Sequence, residues 1–123
     1  MWLRSLMGKY EDFDQVTEAS LRYTCRTLGL EVRPDAVAAM MDSYLHLSPW
    51  PEAASTLEQL RDYRRAILSN GTPDGLSALV ANTGLINHFD ELISVNDIQI
   101  YKPHPQVYAL ATRKLDVEPQ RIG

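Results

Sequence analysis

The chain has 123 residues, 45% of them hydrophobic and 23% charged, with a formal net charge of −4. That supplies apolar side chains for one packed core, while the acidic surplus excludes the clustered Lys and Arg that a nucleic-acid or anionic-membrane surface requires. No stretch has the apolar length that crosses a bilayer. Residues 1–7 are too short and lack the cleavage site of a signal peptide, and a single cysteine, Cys25, allows no internal disulfide, so the reducing cytoplasm is the expected compartment.

In chain order, the first half reads as helix. Asp12 can cap a helix whose apolar positions Phe13, Val16, Ala19, Leu21, Tyr23 and Leu28 recur at helical spacing until Gly29 stops it. A second helix is predicted over 35–47 with Val37, Met40, Met41, Tyr44 and Leu45 facing inward, its methionines and Cys25 of the preceding helix serving as core filling. Ser48-Pro49-Trp50-Pro51 then breaks the helical run, because two prolines so close together do not fit one regular helix. A domain boundary is expected there, between residues 1–50 and 51–123.

Beyond it the pattern alternates: helix over 53–63, strand over 66–68, helix over 73–83, strand over 91–95, a brief alternating apolar run through Ile98 and Ile100 to Tyr101, and helix over 105–115. Arg61, Arg64 and Arg65 are expected to decorate a solvated helix end. Alternation of this kind predicts an α/β fold with a parallel sheet, whose ligand crevices lie at the carboxyl ends of the strands. Two strands and part of a third leave both sheet edges open. With Met1 opening inside a helix and residues 119–123 leading toward another strand, the chain is expected to be a piece of a longer one.

Ser69-Asn70-Gly71-Thr72-Pro73-Asp74 carries the strongest local signal. A strand ends in two small polar side chains and a glycine, and a helix starts with Thr72 as cap, Pro73 in the first turn and Asp74 at the positive end of the dipole. Two readings stand: plain turn chemistry, or free backbone N–H groups beside a hydroxyl and an amide that bind a phosphate or carboxylate. The run ending in Tyr101-Lys102-Pro103 brings a lysine to the same end of the sheet, either as a solvated loop residue or as the cation of a shared crevice.

Trp2-Leu3-Arg4-Ser5-Leu6-Met7-Gly8-Lys9-Tyr10-Glu11-Asp12-Phe13 resembles the cap segment of the L-2-haloacid dehalogenases, within the haloacid dehalogenase superfamily. Leu21-Arg22-Tyr23-Thr24-Cys25-Arg26-Thr27-Leu28-Gly29-Leu30, Ala66-Ile67-Leu68-Ser69-Asn70-Gly71, and Tyr101-Lys102-Pro103 with Tyr108 resemble the same family in order and spacing. The resemblance implies an incomplete Rossmann-like core under a helical cap, and hydrolysis of short L-2-haloacids to D-2-hydroxyacids through an aspartyl ester, with no cofactor or metal. It assigns the substrate carboxylate to Ser69 and Asn70, the positive charge near the nucleophile to Lys102, the orientation of groups around that lysine to Tyr108, and the apolar pocket wall to Phe13. It also implies pairing of two copies through the cap helices, and no partner among nucleic acids or membranes.

The family's nucleophilic aspartate, with the Tyr-Gly-Thr that follows it, and its halide-receiving arginine fall before Met1, and its last motif falls after Gly123. Asp74 and Asp97 each have an ordinary place, in a helix's first turn and in a loop, so this polypeptide alone is expected not to dehalogenate. Two other readings compete: a superfamily phosphatase in which the same Ser, Asn and Lys hold phosphate beside Mg²⁺, and a non-catalytic fragment whose exposed helices and strand edges serve only to pair with another chain.

Overall fold

The computed structural model describes residues 1–123, with Trp2 described by its backbone alone. A short helix α1 (Trp2–Leu6) leads through Gly8, at φ 63°, to the long helix α2 (Phe13–Thr27). Asp12 starts α2 with a reciprocal cap: its carboxylate accepts from the Gln15 amide at 2.9 Å, and the Gln15 side chain accepts from the Asp12 amide at 3.1 Å. Gly29, at φ 68°, takes the left-handed position that lets the chain leave the helix. Helix α3 (Pro34–Ser43) tightens into a 3₁₀ turn, Tyr44–His46, and α4 (Ala53–Gln59) follows the prolines.

The sheet is a parallel pair, β1 (Ala66–Ser69) and β2 (Glu91–Ser94), joined by the crossover helix α5 (Pro73–Asn82), in a register that sets Ala66 opposite Glu91 and Ser69 opposite Ser94. A 3₁₀ turn (Val95–Asp97) and a loop then lead to α6 (Pro105–Leu115). Helix α6 turns Val107, Leu110 and Ala111 inward, the helical spacing of one face. Two buried clusters result: Ile93, Leu110 and Ala111 pack with Ala66 and Leu68, while Val95, Tyr101 and Val107 pack with Tyr10, Ile98 and Ile100. Leu76 and Val80 bury one face of α5, whereas Val37 is the one buried apolar residue before residue 51 among those described.

The structure corrects four expectations. Ile98 to Tyr101 form no strand. Gln99 stands at φ 54°, and the amides of Ile98 and Gln99 both donate to the Val95 carbonyl, so the segment turns; its alternating isoleucines reach the core from a loop. The helix predicted over 35–47 keeps α geometry only to Ser43, and the one over 53–63 ends at Gln59. Met40 and Tyr44 are exposed, as are Ala19, Tyr23 and Leu28 of α2, because nothing covers those faces among the described residues. Arg64 and Arg65 are tertiary struts: Arg64 donates to the Leu115 carbonyl at 2.6 Å and Arg65 to the Leu57 carbonyl at 2.8 Å. Residues 119–121, which lead toward a further strand in the sequence reading, form a 3₁₀ turn.

Candidate functional site

The carboxyl end of β1 delivers Ser69 and Asn70 into a turn that α5 closes. Thr72 caps α5 by accepting from the Gly75 amide at 3.2 Å, Pro73 occupies the first turn, and Asp74 complements the positive end of the dipole. Within the turn the Ser69 hydroxyl accepts from the Gly71 amide at 3.0 Å. Lys102 reaches this turn twice: its backbone amide donates to Asn70 Oδ1 at 3.0 Å, and its ammonium donates to the Leu68 carbonyl at 2.7 Å. The structure thus brings Ser69, Asn70 and Lys102 into one half-buried corner.

The corner offers donors. The hydroxyl hydrogen of Ser69, the amide nitrogen of Asn70 and two hydrogens of the Lys102 ammonium have no acceptor among the described residues. No carboxylate lies within 4.0 Å of the ammonium there, since every ion pair of the described residues involves other cations. A positive charge tethered to a neutral carbonyl, with hydroxyl and amide donors alongside, suits a small anion. No cluster of three or more His, Cys, Asp or Glu able to hold a metal ion occurs among the described residues.

A second set of residues, which sequence reasoning missed, braces the corner. Ser94, buried at the end of β2, donates to the Gly71 carbonyl at 2.6 Å and accepts from the Asn96 amide at 3.1 Å. The Tyr10 hydroxyl donates to Asn96 Oδ1. Tyr101, fully buried, donates its hydroxyl to the Glu11 carbonyl at 2.6 Å, and its amide donates to Ser5 Oγ at 2.9 Å. The Tyr10 and Tyr101 rings lie 5.0 Å apart at 33°, and burial pushes both phenols above the usual tyrosine range. Ser94 carried a signal of its own, a polar residue at the carboxyl end of a predicted strand; the tyrosines carried none, because their partners lie far along the chain.

Phe13 and Tyr108 stand apart from this corner. Phe13 lines a cleft of about 720 Å³ between α2, α3 and the start of α5, with Val37, Met41 and Tyr44 on its apolar wall and Asp14, Asp42 and Asp74 on its acidic rim. Its ring meets that of Tyr44 edge-on at 6.2 Å. Asp14 on the cleft rim accepts from the Thr72 hydroxyl at 2.8 Å, in the turn that follows Ser69 and Asn70. Tyr108 is 50% exposed on α6, and its hydroxyl has no hydrogen bond among the described residues.

Residues 1–122 match the family model of the haloacid dehalogenase-like hydrolases. An (S)-2-haloacid dehalogenase of Xanthobacter autotrophicus is 50% identical over 121 residues, which is 98% of this chain and 48% of that protein. One from Pseudomonas sp. (strain YL) is 44% identical over 123 residues, 98% of this chain and 53% of its own length. Among solved structures, the L-2-haloacid dehalogenase from Xanthobacter autotrophicus matches with a TM-score of 0.91 at 52% identity, covering 96% of this chain and 48% of that one. The same figures hold for that enzyme with chloropropionic acid covalently bound. The chain spans about half the length of the curated relatives it matches.

Proposed function

The chain belongs to the haloacid dehalogenase-like hydrolases, and from that premise we propose that it forms one wall of a site that hydrolyses short L-2-haloacids to D-2-hydroxyacids. The observation that carries this reading is the corner itself: Lys102 fixed on the Leu68 carbonyl with no carboxylate to neutralise it, beside the uncommitted donors of Ser69 and Asn70. Residues 1–50 act as the cap and 51–123 as the core. Ser69 and Asn70 hold the substrate carboxylate, Lys102 stabilises the anionic groups that must approach one another, Phe13 lines the apolar wall over the substrate's alkyl group, and Tyr108 orients groups around the lysine once the site is assembled.

The nucleophile is a carboxylate this chain does not supply. Among the nine aspartates, Asp12 caps α2, Asp14 accepts from Thr72, Asp90 accepts from the Arg65 amide and Asp97 pairs with Lys114, so these four are held by structural partners. An aspartate oxygen attacks the halogen-bearing carbon with inversion, the carbon–halogen bond breaks and its electron pair leaves as halide. Water then attacks the ester carbonyl, releasing the hydroxyacid and a proton and restoring the carboxylate. The covalently bound chloropropionic acid in the Xanthobacter enzyme supports a covalent route.

The test is a chimera in which this chain replaces the matched half of the Xanthobacter autotrophicus enzyme, assayed for halide release from L-2-chloropropionate. Activity is expected in the chimera, falling about 10²- to 10³-fold in Lys102→Ala, the usual loss on removing one preorganised stabiliser of developing charge. A Lys102→Ala chimera as active as its parent would sink the reading. Halide released by the isolated chain above its own Lys102→Ala control would show that the nucleophile lies within it.

A further inference from the structure

The lysine loop has an unusual support. The chain leaves the sheet at Ser94 and turns again at Gln99, so no strand ladder holds the backbone that carries Lys102. A lysine side chain has four rotatable bonds, and its head is fixed only if its backbone is fixed as well. The head rests on the Leu68 carbonyl and the Lys102 amide on Asn70, both on the β1 side. On the other side the support is Tyr101, whose two donors are held from the first eleven residues, its amide by Ser5 Oγ on α1 and its hydroxyl by the Glu11 carbonyl, while its carbonyl accepts from the His104 amide. The Tyr10 ring covers it, while the Tyr10 hydroxyl ties the same segment to Asn96.

We propose that Tyr101 and Ser5 are positioning residues for Lys102, forming a clasp by which the segment before α2 sets where the ammonium stands. The clasp is built of one aromatic ring and two hydrogen bonds that span 90 and 96 residues of sequence. It makes the placement of the anion-binding charge depend on α1 being seated: when Ser5 and Glu11 withdraw, the Lys102 amide keeps its bond to Asn70, while Tyr101 keeps its packing and the bond from the His104 amide to its carbonyl but loses both ties to the first eleven residues. The catalytic meaning of that placement rests on the reading of Lys102 as the cation of the site. The clasp itself does not.

The chain contains three lysines, Lys9, Lys102 and Lys114, so acylation of each amine, followed by peptide mass spectrometry, reads the clasp directly. In the parent chain Lys102 is expected to react more slowly than the exposed Lys9. Tyr101→Phe, which removes one hydroxyl and keeps the ring, and Ser5→Ala, which removes one acceptor at a half-buried position, should each speed labelling of Lys102 about fivefold, the effect of one hydrogen bond. Lys114, bound to Asp97, should not change. Val37→Ala, on α3 and away from the clasp, serves as the control for general loosening and should leave Lys102 unchanged.

The proposal falls if both clasp variants leave Lys102 within twofold of the parent, if Val37→Ala accelerates it as much as they do, or if Lys102 reacts as fast as Lys9 in the parent. In the chimera, Tyr101→Phe should lower halide release about as much as it frees the lysine. Freed labelling together with a Lys102→Ala chimera of full activity would support the clasp and remove the dehalogenase reading, which separates the two failures.

Discussion

The two halves of the molecule are held together by different physics. Before residue 51 a single apolar side chain among the described residues, Val37, is buried, and α2 buries none along its fifteen residues. After it the buried apolar set runs from Leu76 to Ala111 and joins β1, β2, α5 and α6. Beyond the Tyr10 ring, which packs against Tyr101, the helical half is fastened to that core by polar bonds: Thr72 to Asp14, Asn82 to the Leu45 carbonyl, Tyr10 to Asn96, and Tyr101 to Ser5 and Glu11. Hydrophobic burial is non-directional and tolerates small shifts, while hydrogen bonds fix orientation. The contrast teaches that the second half stands on its packing, and that the first is oriented by a few directional contacts.

Truncations test the contrast, read as urea midpoints by circular dichroism. Val107→Ala should cost about 2–3 kcal/mol, because a fully buried position between β2 and α6 leaves a cavity that cannot collapse. Val37→Ala, on the wall of the open cleft, should cost about 1 kcal/mol, because that wall relaxes toward solvent. Equal losses at the two sites would break the comparison. Thr72→Ala removes the α5 cap and the bond to Asp14 together and should cost about 1–2 kcal/mol; a double-mutant cycle with Asp14→Ala would show how much of it crosses between halves. The smallest change is expected for Arg22→Ala, which breaks an exposed pair with Glu18 and should stay within about 0.5 kcal/mol.

What was legible in the sequence was short-range. Asp12, Gly29, and the Thr72-Pro73-Asp74 start each act within a turn of their neighbours, and each appears where its residue type predicts. Parallel pairing followed from helix and strand in alternation. The Ile98 to Tyr101 run misled because alternation reports which side chains are buried and is silent on whether a ladder partner exists; here the isoleucines pack from a turn. Met40 and Tyr44 misled because helical spacing marks an apolar face and not what covers it. For the candidate site, Ser69, Asn70 and Lys102 were legible because each follows an apolar run, at the end of the sheet where ligands bind. The bracing by Tyr10 and Tyr101 was not, since contacts 86 to 96 residues apart leave no local pattern.

The bond from the Lys102 ammonium to the Leu68 carbonyl has a consequence for encounter. A carbonyl orients the ammonium without cancelling its charge, so an uncompensated positive point sits within a chain whose net charge is −4. An incoming carboxylate meets repulsion from this chain at long range and attraction only inside the last Debye length, about 10 Å at 0.1 M salt. Added salt should therefore weaken final capture while easing the approach, and the two rate constants, measured separately, should respond to ionic strength in opposite directions.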